Sequence, residues 1–453
     1  MATSQLGEAF AQPAIDDEWH TYAYSYPHKS SYRRLSPPRP LEEVWRNVDG
    51  RASFYVHVPF CEMRCGFCNL FTQSRPADDA VEAYLDVLAR QMRVVRRAVP
   101  HAAPLNFALG GGTPTFLTAP QLQRLLHDFS TTFDAPLDRL PTSVETSPAT
   151  ATPDRLAVLA EFGIERISIG VQSFDDAEAG SLGRPQRLGQ VHRALTEIRR
   201  LGFRTLNIDL IYGRAAGDME AAAAAEDVKS WLASVRAALE YEPEELYLYP
   251  LYVRPETGLA RAGGGAAGRR ADLYRAARDL LFDAGYEQAS LRCFRRRGLT
   301  STTASDYRCQ SDSMIGLGCG ARSYTPALHY GTEFAASQAG VRALLQQWIG
   351  LDDARLAEAT HGFVLSPDEQ CRRYAILSVL QADGLDLADF ERRFGANPLE
   401  RFAALAELCE RGRLVVAGGR LKLTPLGFEE SDVIGPQLFS PEVRDRLREF
   451  VAL

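Results

Sequence analysis

Lysine is almost missing from this chain. Of its 51 basic residues only Lys29, Lys229 and Lys422 are lysines, and arginine supplies the rest. With the many alanines, the skew reads as a genome-composition bias and not as a functional signal. The formal charge is −7, so no global basic field draws in nucleic acid. No apolar run reaches the ~18–20 residues that a membrane-spanning helix needs, so no membrane partner is expected. The first residues, MATSQLGEAFAQPAIDDEW, lack a basic stretch followed by an apolar one, and no secretory signal is expected. Eight cysteines in 453 residues exclude a disulfide-built scaffold. A reduced, cytoplasmic setting fits best.

What is present is ordinary globular material. The chain is 45% hydrophobic and 24% charged, enough for a normal core, and long enough for two or three domains. Residues 1–50 are rich in Pro, Tyr and Arg, with little periodicity, and are expected to form an arm on the main domain. From Phe54, β-rich runs alternate with helical stretches. FYVHV precedes VEAYLDVLARQMRVVRRAV, LNFAL precedes QLQRLLHDF, and SVET precedes DRLAVLAEF. RISIGV precedes VHRALTEIRRL, and TLNIDLIY precedes a helix from about Glu220 to Tyr241. ELYLYPLY precedes ADLYRAARDLLFDAG, after a glycine-rich stretch at Gly263 to Gly268.

Six β-then-α units in a row predict an α/β fold, a parallel sheet with helices outside. Right-handed connections let such a sheet curl into a full or partial barrel, with its active site at the C-terminal strand ends. Residues 51–300 are assigned to this core and 301–365 to a closing segment and linker. Residues 366–453 read as helices followed by RLVVAGGRLKLTPLG, a hairpin with Gly418-Gly419 at its turn. That predicts a winged-helix-like α+β module. Without a basic stripe, a lid or scaffold role suits it better than DNA binding.

CEMRCGFC places cysteines at 61, 65 and 68, directly after the first strand. Thiolates are the usual ligands of iron–sulfur clusters, and a [4Fe–4S] cluster normally takes four. Three on one loop leave one iron open, as a catalytic zinc site keeps one position open. The alternative is structural zinc, which would want a fourth Cys or His at suitable spacing. His57 precedes the loop, but is expected within the strand.

CxxxCxxC after a first strand is the signature of the radical SAM superfamily. YVHVPFCEMRCGFCNL resembles its HemN-like branch, which contains oxygen-independent coproporphyrinogen III oxidase and its relatives. The resemblance implies a partial (β/α)6 TIM-like barrel, with an N-terminal arm and a HemN-like C-terminal module. It implies a [4Fe–4S] cluster on Cys61, Cys65 and Cys68, whose open iron chelates S-adenosylmethionine. One electron then cleaves the sulfonium to a 5′-deoxyadenosyl radical, which abstracts hydrogen from a small-molecule substrate. A one-electron donor such as flavodoxin or ferredoxin is implied as partner.

Other motifs follow the strands. Gly110-Gly111-Gly112, then Thr113-Pro114-Thr115, matches the family's GGGTPT. Glu145 ends the third strand, Gln172 the fourth, and Asp209 lies at the end of the fifth. Arg184 is near the same rim. Three polar groups at three successive strand ends converge in a barrel. The resemblance implies that Tyr55, Phe67, Gly111, Gly112, Thr113, Glu145, Gln172, Arg184 and Asp209 bind two S-adenosylmethionine molecules. Arg184 could pair with a carboxylate, Asp209 could accept ribose hydroxyls, and Phe67 could pack on an adenine face. Tyr247 and Tyr249, at the end of the sixth strand, either line the substrate cavity or are core aromatics.

SDYRCQSDSMIGLGCGARSY, residues 305–324, resembles the family's glycine-rich barrel-closing segment, and its Cys309 and Cys319 show no compact cluster spacing. SYPHKSSY, residues 25–32, and LTPLGFEESDVIGPQLF, residues 423–439, resemble terminal segments of the oxidase. One departure stands out. The oxidase carries an extra cysteine two positions after the third, and here that place is Leu70. The expectation is therefore a relative that takes two S-adenosylmethionine molecules. It would transfer a methyl or methylene group to an unactivated carbon of an aromatic, heterocyclic or tetrapyrrole substrate. The alternatives are oxidative decarboxylation by a coproporphyrinogen III oxidase and a haem-binding chaperone.

Overall fold

A computed structural model describes residues 23, 25–213, 221–254, 257–262, 270–299 and 308–450, with the backbone alone for 221–227. The stretch Gly263 to Gly268, the start of the helix at Glu220, most of residues 1–24 and residues 305–307 lie outside the described residues.

Six parallel strands form the centre: β1 (Arg51–Val58), β2 (Ala103–Gly111), β3 (Thr142–Thr146), β4 (Arg166–Gln172), β5 (Thr205–Tyr212) and β6 (Glu245–Pro250). Side chains alternate between the two faces of a strand, and the sequence uses this throughout. Phe54, Val56, Val58, Phe107, Leu109, Val144, Ile167, Ile169, Leu206, Ile208, Leu246 and Leu248 are all buried. The intervening positions are Tyr55, His57, Ser143, Glu145, Ser168, Asn207, Asp209, Glu245 and Tyr247. Register pairs Ser168 with Asn207 and Asn207 with Glu245, and pairs Gly170 with Asp209 and Asp209 with Tyr247. The inner face is thus polar, unlike the branched aliphatic filling of a closed barrel.

The helices α1 (Asp78–Ala98), α2 (Ala119–Phe133), α3 (Pro153–Glu161), α4 (Leu188–Leu201), α5 (Ala221–Leu239) and α6 (Arg270–Asp283) cover the apolar face. In α2 a capping box of Thr118 and Gln121 starts the helix and Asp134 in the left-handed region ends it. Its buried stripe carries Phe129, whose ring lies 5.6 Å from that of Phe54 and 4.5 Å from that of Phe107. Truncating such a ring costs about 3–5 kcal/mol.

The barrel is partial. Beyond β1 the sheet continues through Met314–Leu317, parallel, and then Arg322–Tyr324, Leu328–Gly331, Glu358–Val364 and Arg33–Pro40, antiparallel. Beyond β6 it continues through Cys293–Arg296 and Tyr286–Gln288. One 13-stranded sheet results, and its two edges do not pair with each other. The glycine-rich segment therefore extends the sheet beside β1. The arm supplies the edge strand, RRLSPPRP, whose prolines and arginines discourage further pairing.

The C-terminal residues form helices at Pro367–Val379, Leu387–Phe394 and Ala403–Glu410, and a small sheet of Leu385–Asp386, Leu414–Ala417 and Arg420–Leu423. Gly418 and Gly419 both have positive φ, 59° and 74°, as a two-residue type I′ hairpin turn requires. The buried Arg292–Asp432 ion pair, 2.7 Å, joins this region to the barrel, and Tyr252 also bonds Asp432. Among the described residues no helix is long and apolar enough to cross a membrane.

Candidate active site at the barrel mouth

The cysteine loop leaves β1 and folds back on itself. Phe60–Cys61 pairs in parallel with Gln73–Ser74. Its middle is pinned at Gly66, whose N–H donates to the Leu182 carbonyl (3.1 Å) and whose carbonyl accepts from the Leu259 N–H (2.8 Å). A Cβ at Gly66 would fall 2.7 Å from the Leu182 oxygen. The chain after β4 and after β6 therefore sets the loop's position. Each sulfur has a polar neighbour. The Thr113 hydroxyl donates to Cys61 Sγ (3.6 Å), Arg184 Nη1 to Cys65 Sγ (3.4 Å), and Thr72 Oγ1 lies 4.0 Å from Cys68 Sγ.

Burial pushes the Cys61 thiol up to about 12 and also raises Cys68. Negative charge on Cys68 and Cys65 adds to the rise at Cys61, and Cys65 adds to that at Cys68. Two desolvated thiols, Cys61 and Cys68, are costly to ionise, and a cationic metal centre reverses that cost. Among the described residues no three His, Cys, Asp or Glu side chains gather at the spacing of one metal ion. Thiolate is the usual ligand of an iron–sulfur cluster, so the donor chemistry of the trio suits one. His57 does not offer a fourth ligand. Its Nε2 bonds the Phe71 carbonyl (2.9 Å), which can only accept, so Nδ1 accepts from the Tyr55 hydroxyl (3.0 Å). Burial pushes His57 down to about 4, so the ring stays neutral and ties β1 to the end of the cysteine loop.

The glycine triplet is closely packed at each position. A Cβ at Gly110 would lie 2.8 Å from the Glu145 carboxylate, and one at Gly111 would lie 2.6 Å from the His57 ring. A Cβ at Gly112 would lie 2.6 Å from the Phe60 carbonyl oxygen and 2.9 Å from Cys61 Sγ. Gly111 also has φ +114°, which only glycine adopts readily. Its N–H donates to Glu145 Oε2 (3.1 Å). Glu145 is solvent-accessible yet enclosed, because it faces the barrel interior. Desolvation there raises its carboxyl, against the Gly111 N–H and Arg166.

Gln172 sits at a bulge in the β4–β5 register with φ +71°. A non-glycine residue held there stores strain and is re-aimed by the bulge. Arg184 spans from Cys65 to the Gly170 carbonyl (2.7 Å) and to Gln186 Oε1 (3.2 Å). No carboxylate pairs with it among the described residues. Asp209 lies three residues short of the end of β5. It accepts from Asn207 Nδ2 (2.7 Å), and burial pushes it up to about 7 while Arg166 and Arg184 oppose the rise. Asn207 Oδ1 is buried without a partner, an acceptor left for a ligand.

Tyr247 is mid-strand in β6, stacked on Tyr249 at 6.0 Å and paired across the sheet with Cys293. Both rings are half-buried on the inner face and stand outside the apolar core. Below them Glu245 bridges Arg166 (2.8 Å) and Arg295 (3.1 Å), a floor of paired charge. Phe67 sits half-buried between Cys65 and Cys68. The structure thus joins Cys61, Cys65, Gly111, Gly112, Thr113, Glu145, Gln172 and Arg184 into one contiguous rim. Tyr247 and Tyr249 belong to the far wall. From sequence His57 is set aside as a strand residue and Asn207 goes unremarked, although both share the inner-face alternation with Tyr55 and Asp209. Cys319 is buried and Cys309 half-buried, and neither gathers with other ligands among the described residues.

Three half-buried thiols stand at the mouth of a partial parallel β/α barrel, the arrangement expected of an iron–sulfur enzyme of the radical type. The radical SAM superfamily model matches residues 55–225 and the HemN C-terminal domain model residues 365–429. Oxygen-independent coproporphyrinogen III oxidase from Cereibacter sphaeroides is 30% identical over 384 residues, spanning 80% of this chain and 79% of that protein. The heme chaperone HemW from Escherichia coli is 30% identical over 287 residues, spanning 59% and 69%. The solved structure of coproporphyrinogen III oxidase (HemN) from Escherichia coli matches with a TM-score of 0.75 at 23% identity. The match spans 92% of this chain and 96% of that one. The chain belongs to the radical SAM superfamily, in its HemN-like branch. A [4Fe–4S] cluster and S-adenosylmethionine are the cofactors of that family.

Proposed function

We propose that this radical SAM enzyme takes two S-adenosylmethionine molecules and transfers a methyl or methylene group to an unactivated carbon. The substrate would be an aromatic, heterocyclic or tetrapyrrole small molecule, and flavodoxin or ferredoxin would serve as electron donor. Cys61, Cys65 and Cys68 would hold the cluster. When bound, the cluster supplies the electron that splits the sulfonium and so generates a carbon radical. Gly111, Gly112 and Thr113 let a ligand approach the backbone beside Cys61. Glu145 and Arg184 supply fixed charges of opposite sign for an amino and a carboxylate group. Asp209 and the free Asn207 Oδ1 offer acceptors to ribose hydroxyls. Tyr247 and Tyr249 would line the substrate cavity.

One observation carries the choice of reaction. The full set of strand-end polar groups accompanies Leu70, which is 46% exposed, where the oxidase has its extra cysteine. Names of the relatives favour two other readings, oxidative decarboxylation of a porphyrinogen and haem binding. Anaerobic reconstitution with a reductant, followed by mass spectrometry, separates the three. Methyl transfer yields 5′-deoxyadenosine and S-adenosylhomocysteine together. Decarboxylation yields carbon dioxide and no S-adenosylhomocysteine. Stoichiometric haem binding with neither nucleoside would leave only the chaperone reading.

A further inference from the structure

A cavity of about 670 Å³ lies along the strands that extend the sheet beyond β1. It adjoins the cysteine loop, because Phe71 and Gly320 line it. A Cβ at Gly320 would meet the Phe71 ring at 2.6 Å and His57 at 3.0 Å. None of the strand-end groups Glu145, Gln172, Arg184 or Asp209 lines it.

Among the described residues its wall carries five Lys or Arg residues against three carboxylates, and two of those carboxylates are already in ion pairs. Glu449 pairs with Arg33 (3.5 Å) and Glu358 with Arg355 (3.0 Å), whereas Glu333 faces His361 (3.8 Å), a ring that burial keeps from protonating. Lys29 is different. Its ammonium stands 3.7 Å over the Phe334 ring, and among the described residues no carboxylate pairs with it. Burial, with like charge from Arg322 and Arg254, holds Lys29 down at about 7, while Cys68 acts in the opposite sense. Arg322 is held on the same wall by Nη1 donating to Ser25 Oγ (3.1 Å). A half-buried cation without a counter-ion is costly unless something supplies the charge. A bound anion would do so and would draw a proton onto Lys29.

We propose that this cavity is an anion-binding site in which Lys29 and Arg322 seat the acidic group, carboxylate or phosphate, of the substrate. The inference rests on the reading that the chain acts on a small molecule at the cluster. The cavity flanks the loop at Phe71, three residues past Cys68, so a substrate anchored there by its acidic end can extend toward the loop.

The scarcity of lysine makes a direct test possible. The anaerobically reconstituted full chain is acetylated with an N-hydroxysuccinimide ester, and Lys29, Lys229 and Lys422 are followed separately by mass spectrometry. Two probes are used, benzene-1,3,5-tricarboxylate and inorganic pyrophosphate, with benzene-1,3,5-tricarboxamide as the neutral control. A saturating anion should slow labelling of Lys29 about tenfold, with Lys229 and Lys422 unchanged, and Arg322→Gln should abolish the protection. Protection by the tricarboxylate assigns a carboxylate, and protection by pyrophosphate assigns a phosphate. Equal labelling of Lys29 with and without both anions, or equal slowing of all three lysines, would overturn the proposal. Formation of 5′-deoxyadenosine is measured on the same preparation. Its absence would refute the radical reading and leave any anion protection standing.

Discussion

At the residue scale, the site is built from small residues that let large ones meet. Gly112 is the clearest case, with backbone on one side and a cysteine sulfur on the other. Gly112→Ala should lower both melting temperature and iron content, by an overpacking cost of about 1–3 kcal/mol. Iron and sulfide assays beside a thermal melt read both. Cys65→Ala should lose the cluster outright, and a variant that retained four irons per chain would refute the ligand assignment. Asp209 gives a pH signature. Its carboxyl sits at about 7 when folded against ~3.9 unfolded, so the folded chain binds the proton more tightly. That contribution favours folding at low pH and is lost as pH rises from about 4 through 7. Asp209→Asn removes the loss. It should exceed the native chain in stability at pH 8 by on the order of 4 kcal/mol, and the gap should close near pH 4. Urea unfolding across that range measures it. The cysteines, glycines and strand-end polar groups were legible because residue type and spacing carry their chemistry. His57 was not. Its role depends on the Phe71 carbonyl fourteen residues away, which no local pattern shows.

At the element scale, alternation of apolar and polar residues along the strands marks both the packed face and the working face. It made β1 to β6 and their helices legible from sequence. The flanking strands were not legible, because they are short and their partners are distant. Arg33–Pro40 reads as irregular for its prolines, yet pairs with Glu358–Val364 at the sheet edge. The bulge at Gln172 was equally silent, since glutamine is not the residue one expects at φ +71°. Its strain has a measurable consequence. Gln172→Gly should relieve about 1 kcal/mol of backbone strain and so hold or raise the melting temperature. The same change should weaken S-adenosylmethionine binding, as read by isothermal titration of the reconstituted protein. A variant that lost stability and kept affinity would show that Gln172 serves only the fold.

At the scale of the whole molecule, the barrel and the C-terminal region are held together by charge in a dry place. Arg292 and Asp432 are 6% and 4% exposed, and removing one partner leaves the other buried and unpaired. Asp432→Asn should cost about 3 kcal/mol and separate denaturant unfolding into two phases if the two regions then come apart. The central claim is that Cys61, Cys65 and Cys68, at the mouth of that barrel, would hold a four-iron cluster with one iron left open to S-adenosylmethionine. Mössbauer spectroscopy of the 57Fe-reconstituted chain tests it directly. The account predicts four irons per chain, one of which changes its isomer shift when S-adenosylmethionine is added. A spectrum of isolated iron, or a cluster whose four sites ignore S-adenosylmethionine, would contradict it.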